Sequence, residues 1–129
     1  MELSSLDPAT GAVDGTPIHV GADADDVSIG SEAVWAVALY GQALVRIDPA
    51  SHRVTLRMKT AGQASSVLAT ADAVWVSYYD TATVARIDPL RRQVVKTYRV
   101  GRQPRSIAAA SGSIWVANQA SSSVSRIRP

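Results

Sequence analysis

Two histidines, three neighbouring aspartates and a scatter of arginines and tyrosines are the residues of this chain that could do chemistry. His19 and His52 are its only imidazoles, the side chains best suited to act as a general base near neutral pH. Asp23, Asp25 and Asp26 form a candidate Ca²⁺ site of oxygen ligands, and a solvated acidic turn is the simpler account of them. The chain contains no cysteine, which excludes disulfides and thiolate metal sites. It has no diagnostic His–carboxylate spacing, no glycine-rich phosphate loop and no nucleophile motif. The sequence therefore assigns no catalytic residue and no cofactor.

The remaining polar candidates lie in two sets of turns. One holds Tyr40, Tyr78, Tyr79, Asp80, Asn118 and Gln119; the other holds Gln63, Arg102 and Arg105 beside the three aspartates. Tyrosines among mixed polar groups suit a binding surface, so these nine residues are the candidate rim for a peptide or small ligand. The net charge of +2 is too small to argue for nucleic acid, and the clusters Arg91-Arg92 and Arg99, Arg102, Arg105 read as a solvated polar face. The longest apolar run, Ala33 to Leu39, is too short to span a bilayer. Residues 1–5 lack a basic patch followed by an apolar segment, so no signal peptide is expected; the compartment stays open.

The elements that must position these residues are set by a repeat. Trp35, Trp75 and Trp115 are forty residues apart, and so are Arg46, Arg86 and Arg126. The segments AVWAVALYGQALVRIDP, AVWVSYYDTATVARIDP and SIWVANQASSSVSRIRP align without a gap. Units run over 27–66 and 67–106; the third begins at 107 and stops at 129, with its remainder supplied by residues 1–26. Each unit holds four strand-like runs between turn-rich segments: A near 27–30, B near 34–38, C near 44–48 and D near 53–59, with the N-terminal D strand over 12–20. The palette is β-branched with small fillers and no Phe, and no window has helical periodicity. Four short strands per forty residues predict an all-β propeller of three four-stranded blades in a single domain. The tryptophans, one on each B strand, are expected to pack between blades. Arg46 and Arg86 stand two residues before Asp48 and Asp88, same-face spacing on a strand, which predicts a repeated ion pair. The third unit has Arg128 instead, and Asp7 of an incoming N-terminus would supply the missing carboxylate.

The strings VWVS, IWVAN, VARIDP, VSRIRP and VGRQP resemble the YVTN-type and virginiamycin-B-lyase-like propeller repeats. The resemblance covers nearly the whole chain. It implies the propeller fold and, since members usually carry six to eight blades, a missing half. An open arc of three blades would expose apolar sheet faces at both ends. Two copies would make a six-bladed ring, so a homodimer is expected ahead of a homotrimer, closed by reciprocal exchange of the N-terminal strand. Lyases of that family use a histidine base on the axial face with a metal nearby; neither histidine here matches that motif. The leading expectation is a non-enzymatic scaffold that self-assembles and binds a ligand on its rim or pore. The alternatives are a lyase or hydrolase of that family, and a fragment or engineered half of a larger sensor.

Overall fold

The computed structural model describes residues 2–21, 23–30 and 32–129. The described residues form thirteen strands in four antiparallel sheets. A hairpin comes first, β1 (Glu2–Leu6) with β2 (Val13–His19). Sheet I holds β3 (Asp26–Gly30), β4 (Ala33–Ala38), β5 (Ala43–Ile47) and β6 (Val54–Lys59) in that order. Sheet II repeats the meander with β7 (Ala64–Ala69), β8 (Val74–Tyr78), β9 (Thr83–Asp88) and β10 (Gln93–Arg99). Sheet III has three strands, β11 (Pro104–Ala110), β12 (Ser113–Asn118) and β13 (Ser123–Ile127).

Register repeats with the sequence. Trp35 lies opposite Arg46, Trp75 opposite Arg86 and Trp115 opposite Arg126. The loop before each turn repeats as well. The backbone N–H of Gly11, His52 and Arg92 donates to the carbonyl of Asp7, Asp48 and Asp88 respectively. All three adopt the left-handed conformation, with φ of 72°, 58° and 56°. A glycine occupies that position once; His52 and Arg92 hold it because the turn hydrogen bonds on either side constrain it.

The strand count departs from the expected plan at the N-terminus. Residues 12–20 do contain the expected outer strand, β2, but β1 precedes it and pairs with it. By alignment of Leu6-Asp7-Pro8 with Ile47-Asp48-Pro49 and Ile127-Arg128-Pro129, β1 is a third-position strand, as β5, β9 and β13 are. Its composition, ELSSL, retains little of the repeat beyond the two leucines, which is why alignment on Trp and Arg passes over it.

The core lies between sheets. Trp35, Val37 and Leu44 of sheet I pack on Val67, Val74, Val76 and Ile87 of sheet II. Trp75 and Val84 of sheet II pack on Ile107, Ile114, Val116 and Ile127 of sheet III. The hairpin contributes Leu3 and Ile18, together with Val20, to a third cluster with Val45 and Ile47. Sheet II is covered on both faces, so β8 is buried along its whole length rather than alternating, and β4 is buried at all but Val34. The first strands converge: β7 sits between β3 and β11. There Asp26 Oδ2 accepts from Ser66 Oγ at 2.7 Å and from the Val67 N–H at 3.0 Å, and Ser28 Oγ accepts from the Ala69 N–H at 3.0 Å. Ser65 Oγ donates to the Pro104 carbonyl at 2.6 Å. Gly30 permits the close approach, since a Cβ there would meet Ala69 Cβ at 2.8 Å.

Candidate functional site

The loops that enter β3, β7 and β11 and the loops that follow β4, β8 and β12 are tied together at one rim. The Asp25 N–H donates to the Val37 carbonyl, that of Tyr79 to Gln63 and that of Gln119 to Gln103, at 2.9, 2.8 and 2.9 Å. A polar side chain laces the two loops in each sheet, from a different position each time. In sheet I the Asp23 carboxylate accepts from the Tyr40 and Gly41 N–H groups at 2.9 and 3.0 Å. In sheet II Asp80 Oδ1 accepts from the Gln63 N–H at 2.8 Å. In sheet III Ser121 Oγ accepts from the Arg102 N–H at 3.0 Å. Partial burial pushes the Asp23 carboxyl up, but the two N–H donors outweigh it and its pKa lies below the ordinary value.

Four residues converge over the three first strands. Arg105 Nε donates to Gln119 Oε1 at 3.1 Å, its guanidinium lies 5.1 Å from the centre of the Tyr79 ring, and its Nη1 is 3.9 Å from Asp25 Oδ2. Positions 25, 65 and 105 are equivalent in the repeat, so the three units place an acid, a hydroxyl and a guanidinium at the start of their first strands. Burial raises the Asp25 pKa, and the Arg105 charge opposes that rise. The arrangement is a half-exposed arginine set between an aromatic ring and an amide, a geometry able to present a cation to an acceptor group of a ligand.

The other candidates divide. Tyr40 is exposed, next to Gln42, Arg57 and Lys59, away from Arg105. Tyr78 and Asn118 are buried and do not form surface; both occupy the last position of the second strand, where the side chain turns inward. Gln63 contributes its backbone, Asp80 is spent on the loop, and Arg102 donates through Nη2 to the Ala120 carbonyl at 3.4 Å. Asp23, Asp25 and Asp26 point to separate partners, and no group of three or more His, Cys, Asp or Glu side chains able to hold a metal ion occurs among the described residues. Sequence proximity did not bring them together because Asp26 begins β3, where consecutive side chains face opposite ways. Asp25 is the rim residue that the ligand set missed; its equivalence to Arg105 was the available signal.

The expected Arg–Asp pairs within one strand end do not form. Asp48 accepts from the Ala50 N–H and Ser51 Oγ, Asp88 from the Leu90 and Arg91 N–H groups, so each carboxylate stabilises its own turn. Arg86 instead meets Asp72 at 2.8 Å and lies over Trp75; Arg46 donates to Thr55 Oγ1; Arg126 donates to Ser113 Oγ and lies over Trp115. Asp7 Oδ1 likewise accepts from the Ala9 N–H of its own turn at 2.8 Å.

These turn carboxylates carry a pH dependence. Backbone N–H donors, from Ala50 to Asp48 and from Arg91 to Asp88, hold both pKa values below the ordinary one. A lowered folded-state pKa gives stability that is present above the unfolded value of about 4 and lost as pH falls through the folded values. Asp25 acts in the opposite sense, since its raised pKa favours the folded state in acid. Urea unfolding followed by tryptophan fluorescence is expected to weaken from about pH 4 downward. The Asp48→Asn/Asp88→Asn variant, which keeps one acceptor oxygen in each turn, should lose less stability over that window.

The two histidines sit elsewhere. Both line a groove of about 440 Å³ between β2 and the turn before β6, with Thr16, Pro17, Ser51 and Val54. His19 Nε2 is 3.4 Å from Glu2 Oε1. The groove is on the outer margin, built from the outermost strands.

Both ends of the stack leave an apolar face open. Trp35 and Trp75 are 1% and 2% exposed, whereas Trp115, at the same repeat position, is 36% exposed. Val124 is 66% exposed where Leu44 and Val84 are fully buried. At the other end Val27 is 47% exposed, against 3% for Val67 and 8% for Ile107. Val27 and Ile29 line a cleft of about 250 Å³ with Leu3, Ile18, Val34 and Ile47. The Trp115 face of sheet III is equivalent to the faces that sheets I and II press onto their successors, and the Val27 face of sheet I is equivalent to the faces that receive them.

No protein-family model and no curated protein sequence matches the chain. Solved structures do. Virginiamycin B lyase from Staphylococcus aureus superposes with a TM-score of 0.83 at 16% identity, over 99% of this chain and 45% of that one. Kuenenia stuttgartiensis hydrazine synthase gives 0.75 at 14% identity, over 98% and 42%. The Neurospora crassa Pan2 WD40 domain gives 0.74 at 13% identity, over 89% and 36%. The chain spans less than half the length of each. Among its described residues no helix is long and apolar enough to cross a membrane. The stacked antiparallel sheets, with these likenesses at low identity, make the fold of this chain that of part of a β-propeller.

Proposed function

We propose that the chain is a non-enzymatic propeller scaffold that closes its ring with a second copy of itself and offers the Asp25–Tyr79–Arg105–Gln119 rim to a peptide or small ligand. The observation that carries this reading is the pair of open faces. Trp115 and Val124 present what Trp35 and Leu44 present to sheet II, and Val27 and Ile29 wait for it. A second copy therefore meets a surface whose complementarity already occurs twice within the chain. Two copies give a closed arc with two-fold symmetry. A binding rather than catalytic role is supported by the rim, which gathers an arginine, a tyrosine, an amide and an acid, while both imidazoles lie on the outer margin.

Sedimentation equilibrium or light scattering across a dilution series tests the assembly. The expected species has about twice the 13.6 kDa chain mass. A stable monomer sinks the self-closing reading, and a trimer sinks the two-copy ring.

A further inference from the structure

β1 and β13 are the same element of the repeat, and each calls for the same partner. Among the described residues β13 has β12 on one edge and no strand on the other, where β5 and β9 carry β6 and β10. β2 is the fourth-position strand that such an edge takes, and within the chain it is held by β1. We infer that β1 is a displaceable latch: on ring closure β2 leaves β1 and pairs with β13 of the second copy, with Asp14 facing Arg126. This rests on the two-copy ring proposed above.

The register favours the exchange. Leu6, Ser5 and Leu3 of β1 lie opposite Val13, Asp14 and Ile18 of β2. Repeat alignment replaces them with Ile127, Arg126 and Val124 of β13. The apolar pairs are kept with β-branched residues. The central pair changes from Ser5–Asp14 to Arg126–Asp14, an opposite-charge cross-strand pair. In the other sheets Leu56 and Lys96 lie opposite the repeated arginine, and the positions aligned with Asp14 are Thr55 and Val95, one residue earlier; Thr55 Oγ1 accepts from Arg46 at 2.9 Å, so a carboxylate at that position lies within reach of the arginine. β1 itself gives up little, since four of its five residues are exposed and its ladder is irregular between Leu3 and Ser5. What is lost is the His19–Glu2 contact, which lies in solvent. The exchange also pairs the open β13 edge, which would otherwise remain available to any strand.

The chain has no cysteine, so paired cysteines report the pairing directly. The Leu6→Cys/Val13→Cys variant, at two exposed opposed positions, ties β1 to β2 when oxidised. It should sediment as a dimer when reduced and as a monomer once thiol titration shows closure. In the Asp14→Cys/Arg126→Cys variant, oxidation should yield a disulfide-linked dimer on a non-reducing gel. Charge exchange gives a third readout: Asp14→Lys alone should weaken the dimer by about fivefold or more, and Asp14→Lys with Arg126→Asp should recover it. A dimer that survives the oxidised latch overturns the exchange while leaving the ring, whether or not the second variant cross-links. So does a monomeric latch without the Asp14–Arg126 cross-link. An unmodified chain that is monomeric at every concentration removes the ring and the exchange together.

Discussion

Replacing Trp75 with Ala is expected to remove about 3–5 kcal/mol of folding stability, whereas Trp115→Ala should leave folding almost intact and dissociate the dimer. The two residues hold the same repeat position and face an arginine across the strand pair in the same way, Arg86 for one and Arg126 for the other. They differ in what covers them. Trp75 is enclosed by Ile107, Ile114 and Val116 of the next sheet and touches Tyr98 with ring centres 5.7 Å apart. Truncation there opens a cavity that neighbouring strands, held by their ladders, cannot collapse into. Trp115 has no sheet in front of it, so its truncation exposes little new surface in the single chain. In a ring, by contrast, it becomes the central anchor of the interface, where loss of a buried indole costs about 2 kcal/mol or more of association. Urea titration read with light scattering separates the outcomes. Equal loss of folding stability in both variants, with unchanged mass for Trp115→Ala, would sink the interface role.

Asp26→Ala is expected to cost about 2–3 kcal/mol, a large effect for a residue at a strand start. Its Oδ2 accepts from Ser66 Oγ and the Val67 N–H of β7, and its Oδ1 from the Val27 N–H at 2.9 Å. The bonds from Ser66 and Val67 join sheet II to sheet I beside the Ala69–Ser28 bond, and the charge strengthens them. Removing the carboxylate leaves the partly buried Ser66 hydroxyl and Val67 N–H without their acceptor, which carries most of the cost. Asp26→Asn keeps one acceptor oxygen and should lose less than half as much. Differential scanning calorimetry on both variants checks the order. If Asp26→Ala unfolds at the temperature of the unmodified chain, the inter-sheet role is wrong.

The forty-residue spacing of Trp, Arg and Pro carries the strand plan and the fold, because period and turn chemistry are local: a strand pair of given register needs a fixed number of residues between its turns. The same locality made the tryptophans readable as packing between sheets. Charge partners were not readable that way. Arg86 was expected with Asp88, two residues on, but the Asp88 carboxylate, at the head of an Asp-Pro turn, accepts from the Leu90 and Arg91 N–H groups of that turn at 2.9 and 3.0 Å. The guanidinium therefore reaches across to Asp72. The three aspartates before β3 separate for a related reason, since loop and strand direct successive side chains apart. The rim pairing of Asp25 with Arg105 joins residues eighty positions apart, and it exists because the first strands of successive sheets converge. β1 escaped the repeat because it lacks the arginine of β5, β9 and β13; its ladder with β2 and the Leu6-Asp7-Pro8 turn that follows it mark its position. Composition and spacing thus determine which strands form and in what order. Which polar groups meet, and which apolar faces stay uncovered, depends on how the sheets stack, since those contacts are made between segments the sequence does not place side by side.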